Sequence, residues 1–160
     1  MGAENSRNNG TIVANNELFF QEVETLLKEG KKVTFRLKGG SMRPFLRDGD
    51  VIRIVQKPYD QLRPGDIALA HTDLGVLLHR IVAINGEQVH LLGDANRQQE
   101  LTERRKVMGV FDAAWRGEKS LHLNSVTMRT LALYWYKIRP LRRYLLGAYE
   151  ICRRLRKGNI

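Results

Sequence analysis

At 160 residues, 42% of them hydrophobic, the chain can bury a core of its own, which excludes a disordered or low-complexity protein. The net charge of +10 is unevenly spread: residues 126–160 hold nine Lys/Arg against one acid, Glu150, and the rest is close to neutral. The single cysteine, Cys152, excludes an internal disulfide framework and indicates no oxidising compartment.

In chain order, residues 1–15 are polar and asparagine-rich and read as a disordered lead with no apolar export signal. Asn16 is placed to cap a helix over residues 17–29, with Leu18, Phe19, Val23, Leu26 and Leu27 as its apolar face and Gly30 as its stop. From Val33 the pattern turns strand-like. Strands are expected over 33–37, 51–55, 66–71, 75–84, 88–92 and 107–115, separated by turn residues at 47–50, 63–66, 73–75 and Asn85-Gly86. Asn-Gly tolerates the positive φ of a type I′ hairpin turn. Asp48, Asp50 and Asp66 fall in these turns and are expected to shape them.

Short strands at close spacing predict a mainly β, compact, mostly antiparallel domain. After Gly117 the spacing becomes helical again. Met128, Leu131, Trp135 and Ile138 recur at helical intervals; beyond Pro140, Leu141, Tyr144, Leu145, Ala148, Cys152 and Leu155 line one face. Arg142, Arg143, Arg153, Arg154 and Arg156 lie mainly opposite, so the chain should end in a basic amphipathic helical pair. The expected organisation is a lead over 1–15, a β domain with its helix over 16–118, and a basic appendage over 119–160.

The chemistry is concentrated in Gly39-Gly40-Ser41-Met42-Arg43-Pro44, with His79 following 38 residues after the serine. Two glycines permit a sharp turn and leave the hydroxyl uncrowded, and Pro44 restricts the backbone beyond it. Serine is a weak nucleophile at neutral pH and needs a base, for which an imidazole is suited. Each feature alone has an ordinary explanation, since serine after Gly-Gly is a common turn residue. His71, His90 and His122 read as structural: no pair of them has metal-ligand spacing, and no metal or cofactor is expected.

Five segments in order carry a family resemblance: Gly40-Ser41-Met42-Arg43-Pro44, Arg47-Asp48-Gly49-Asp50-Val51-Ile52, Leu62-Arg63-Pro64-Gly65-Asp66-Ile67-Ala68, His79-Arg80-Ile81-Val82 and Leu92-Gly93-Asp94-Ala95-Asn96. Over roughly residues 33–112 the chain resembles the signal peptidase and LexA-type serine peptidases (the S24/S26 group). The resemblance implies a β-rich fold in which Ser41 sits at a strand end. Beside it runs a groove, at Gly39, Gly40, Met42 and Pro44, for an extended peptide. It implies an endopeptidase acting through an acyl-enzyme on a leader, signal or precursor peptide, with small residues near the cleavage site.

Where many relatives carry a lysine base, this chain has His79, as in the Ser/His branch of endoplasmic-reticulum and archaeal signal peptidases. The carboxylate that orients the imidazole is either Asp94, in the Gly-Asp-x-Asn box, or Glu100, by its gap from His79. The family often places an oxyanion hydroxyl two residues before the nucleophile, where this chain has Gly39. The alternatives are a LexA-like regulator and a non-catalytic peptide-binding module. The basic tail is expected either to form a solvated face or to meet an anionic membrane surface. Nucleic acid is not the expected partner, because no recognition motif is present. The expected location is cytoplasmic or peripheral to a membrane.

Overall fold

The computed structural model describes residues 9–138 and, beyond them, positions 144, 147, 148, 151 and 152. Helix α1 spans Asn9–Lys28. It begins upstream of the start expected at Asn16, so residues 9–15 are helical and not a disordered lead. Ile12 and Val13 precede Phe19 and Phe20 by seven residues, two helical turns, so the apolar period runs through the asparagines. Their low helix propensity costs only about 0.7 kcal/mol per residue at most. The helix ends in a Schellman arrangement: Gly30, at φ 75°, donates to the Leu27 carbonyl, and Lys31 donates to that of Leu26. Val23 and Leu27 are buried against the sheet, whereas Leu18, expected on that face, is 65% exposed.

The strands are β1 (Val33–Arg36), β2 (Val51–Val55), β3 (Ile67–Thr72), β4 (Gly75–Asn85), β5 (Gln88–Leu92), β6 (Glu100–Glu103), β7 (Val107–Arg116) and β8 (Lys119–Leu121). They form one antiparallel sheet in the order β1-β2-β7-β3-β4-β5-β6, with β8 paired to β7. Six of these match the alternation in the sequence; β6 and β8 are short additions to it. The β4–β5 hairpin pairs Asn85 with Gln88, so Gly86 and Glu87 occupy its corner. Only Gly86 has a positive φ (59°), whereas the expected type I′ turn needs it at both corner positions.

Alternation fills both faces of the sheet. Ile67 and Leu69 of β3 join Leu27, Ile52, Ile54 and Phe111 on one side; Ala68 and Ala70 join Ile81, Val89 and Leu91 on the other. The sheet curls into a half-barrel around this second cluster, and the Thr102 hydroxyl on β6 donates to the His71 carbonyl on β3, a strand three places away. Gly109 of β7 marks a tight crossing. A β-carbon there would lie 2.7 Å from the Val55 carbonyl and 3.2 Å from Leu27, so α1 could not lie as close.

Helix α2 spans Val126–Lys137, and the Ser125 hydroxyl caps it by accepting from the Met128 amide at 3.2 Å. Its inward residues are Met128, Arg129, Ala132, Leu133, Trp135 and Tyr136. Leu131, expected with Met128 and Trp135, instead lies 52% exposed, because small Ala132 takes the closest approach to the domain. The second helix of the expected pair lies largely outside the described residues. Tyr144, Ala148, Ile151 and Cys152 are helical and exposed. Among the described residues no helix is long and apolar enough to cross a membrane.

Candidate active site

The turn after β1 carries Ser41. Gly39 adopts φ 103°, a conformation that side-chain-bearing residues rarely take, and its amide donates to Asp48 Oδ1 at 2.8 Å. This explains why no hydroxyl-bearing residue stands two places before the serine. Ser41 is half-buried and solvent still reaches it. Met42 is 2% exposed and packs with Leu46 and Ile52, so it supports the turn from beneath instead of lining a groove. Gly40 and Pro44 are partly exposed beside the serine, and the Arg43–Pro44 peptide is cis.

The far side of this loop is pinned electrostatically. Asp50, 2% exposed, accepts the Arg47 amide at 2.8 Å and receives Arg116 through both oxygens, at 2.8 and 2.7 Å. Arg116 also donates to the Phe45 carbonyl at 3.2 Å. Burial pushes the Asp50 carboxyl up, but Arg116 and the Arg47 amide outweigh it and hold the group below its ordinary value. Asp66 serves a second turn in the same manner, accepting from the Arg63 amide, Lys57 and Arg129.

His79 lies in β4, opposite Ala68 of β3, and is 3% exposed. Its Nδ1 is 2.9 Å from Glu100 Oε2, at the first residue of β6. Opposite an ionised carboxylate, which can only accept, Nδ1 must carry the hydrogen, and a neutral ring then has its free lone pair at Nε2. Asp94 is engaged elsewhere: Arg80 Nε and Nη2 contact its two oxygens, each at 2.8 Å, in a pair whose side chains are 4% exposed. Arg80 Nη1 donates to the Gly65 carbonyl at 2.9 Å, and its guanidinium lies over the Phe45 ring at 5.4 Å. The two carboxylates thus have different partners, Glu100 the imidazole and Asp94 the arginine beside it.

The segment between β5 and β6 ties these groups to the serine. The Ala95 amide donates to the Ser41 carbonyl at 2.7 Å. Gly93 passes so close that a β-carbon there would sit 2.8 Å from the same carbonyl. Arg80, Ala95 and Trp135, whose indole donates to the Asp94 carbonyl at 2.7 Å, are site residues that the sequence reading did not single out. Arginine beside histidine in an apolar strand was the available signal, since a buried guanidinium needs a carboxylate. Asn96, Arg97, Gln98 and Glu100 line a cavity of about 280 Å³ on this side of the molecule.

His71 contacts Glu24 at 3.1 Å, and His90 lies between Asn85 and Gln99. Among the described residues no group of three or more His, Cys, Asp or Glu could hold a metal ion.

Comparison with known protein families finds a match over residues 4–111 to the family model described as Peptidase S24-like. No curated protein matches the chain.

Proposed function

The chain belongs to the Peptidase S24-like family, and from that premise we propose that it is a serine endopeptidase of the Ser/His type. The observation that carries this reading is the 2.9 Å contact between buried His79 Nδ1 and Glu100, which gives the imidazole the tautomer and counter-charge of a general base. Ser41 Oγ attacks the scissile carbonyl carbon while His79 Nε2 takes its proton. The tetrahedral intermediate collapses, the C–N bond breaks, and the imidazolium gives the proton to the leaving amine. Water then attacks the acyl ester, again losing a proton to His79, and releases the carboxylic acid and free Ser41. The Ser41 amide serves as an oxyanion donor, and Asp94 maintains the site by neutralising Arg80. The substrate class is an extended leader, signal or precursor peptide bearing small residues next to the cleaved bond.

One observation favours a second reading, a peptide-binding module without turnover. Gly39 has no hydroxyl to offer an oxyanion, and loss of one such donor typically costs about 10²–10³ in rate. Incubation of the purified chain with an unbiased peptide library, read by mass spectrometry, separates the two. Endoproteolysis by the wild type and none by Ser41→Ala is the expected result. Peptide retention without cleavage at any enzyme concentration would establish the module.

For the basic tail we propose contact with an anionic membrane surface. Val126, Leu131 and Tyr134 stand 81%, 52% and 63% exposed, in a segment whose sequence carries most of the protein's net positive charge.

A further inference from the structure

The eight residues from Gly93 to Glu100 carry three of the contacts that the proposed chemistry depends on. Ala95 holds the Ser41 carbonyl, Asp94 holds the arginine next to His79, and Glu100 holds His79 itself. Apart from its last residue this stretch has no regular secondary structure, and a connecting segment of that kind needs external contacts to stay in place.

Two of those contacts come from α2, outside the 4–111 region that matches the family model. Trp135 Nε1 donates to the Asp94 carbonyl at 2.7 Å, near the start of the stretch. Gln99 Nε2 donates to the Tyr136 hydroxyl at 2.9 Å, one residue before Glu100. The Trp135 ring also stands edge-on to Phe45, 6.5 Å between centroids at 86°, four residues beyond Ser41. One helix end therefore touches both the nucleophile's turn and the segment that carries the carboxylates. Its other end is fixed by Arg129 on Asp66 at 2.6 Å.

We propose that α2 is a positioning element of the active site, in which Trp135 and Tyr136 hold residues 94–99 so that Glu100 and Ser41 keep their alignment with His79. The inference rests on the Ser/His reading of the site. Both act through the segment they hold. Misplacement of a catalytic group by about 1 Å can cost about 100-fold in rate, so two hydrogen bonds remote from the chemistry are enough to govern it.

The test uses the full chain with Trp135→Phe, which keeps an aromatic ring on Phe45 and removes the indole N–H, and Tyr136→Phe, which removes the hydroxyl. Two quantities are measured: the labelling rate with a serine-reactive acylating probe, and the NMR signals of the His79 ring, with His71, which contacts Glu24, as the internal reference. Labelling about tenfold slower or more, with a displaced or lost His79 Nδ1 proton signal and a preserved cooperative melting transition, is the expected result. Thr127→Ala and Thr130→Ala, on the exposed side of the same helix, should label at the wild-type rate. Should Trp135→Phe fail to fold, Tyr136→Phe alone decides. Labelling within twofold of wild type and an unchanged His79 signal in the folded variants would overturn the proposal. If the wild type takes no label while its His79 signals still respond to both substitutions, the peptidase reading falls and the positioning role stands.

Discussion

Glu100→Gln and Asp94→Asn remove one negative charge each, with little change of volume, from two carboxylates near His79, and they should fail in opposite ways. The Glu100 contact of 2.9 Å puts the carboxylate and imidazolium charge centres about 4 Å apart, an attraction of about 4 kcal/mol at an effective dielectric constant near 20. That attraction develops only as His79 takes the serine proton, so its loss raises the barrier by that amount, or about 10³-fold in rate. An amide that turned its NH₂ toward Nδ1 would impose the wrong tautomer and bring the loss nearer 10⁴-fold. Folding should change little.

Asp94→Asn instead strands Arg80, whose side chain is 4% exposed, without a counter-charge. Breaking such a pair costs about 3–5 kcal/mol, which lowers the melting temperature of a protein of this size by about 10 °C. The assay pairs the rate of probe acylation, measured well below the melting transition, with differential scanning calorimetry. A folded Asp94→Asn variant that is inactive, beside a Glu100→Gln variant acylated within threefold of wild type, would refute the assignment of the two carboxylates.

Three further outcomes follow from the same geometry. Gly93→Ala should slow acylation at least tenfold and cost about 1–3 kcal/mol, because the new methyl would sit 2.8 Å from the Ser41 carbonyl; unchanged kinetics would mean that this approach is not needed. Asp50 has a folded-state pKa below its ordinary value of 3.8, so its contribution is present above that value and lost as pH falls through the lower, folded one. Arg116→Met should therefore lower stability at neutral pH by about 2–3 kcal/mol, a deficit that narrows as pH falls below 3.8 because only the wild type still has that contribution to lose, and stability curves that stay parallel to wild type from pH 7 to 3 would contradict this. The full chain should sediment with vesicles containing anionic lipid, less so as salt rises, and Leu131→Ala with Tyr134→Ala should weaken it; equal sedimentation with neutral vesicles would rule out the electrostatic contact.

Six of the eight strands were legible because alternation on a half-buried sheet leaves a period of two, and glycine-bearing turns bound it. Strand β6 was not: Glu100-Leu101-Thr102-Glu103 is short and half acidic, and it becomes a strand only through pairing with β5. That omission mattered, since β6 is what delivers Glu100 to His79. The choice between Asp94 and Glu100 could not be made from spacing, because it depends on which of two adjacent β4 residues, His79 or Arg80, each carboxylate meets. The inward face of α2 was misjudged at Leu131 for a related reason. Hydrophobicity favoured leucine, but a helix in close contact with a domain puts its small residue, Ala132, at the nearest point. The start of α1 was misplaced because asparagine is a strong capping signal only where the apolar period begins, and here Ile12 and Val13 already continue it upstream.

The central claim is that Ser41 is a nucleophile activated by His79. Intact-mass measurement after treatment with a serine-reactive acylating probe tests it most directly, on the wild type, Ser41→Ala and His79→Ala. The account predicts one stoichiometric adduct on the wild type, mapping to the peptide that contains Ser41 and absent from both variants. An adduct that persists in Ser41→Ala, or none on the wild type under any condition, would contradict it.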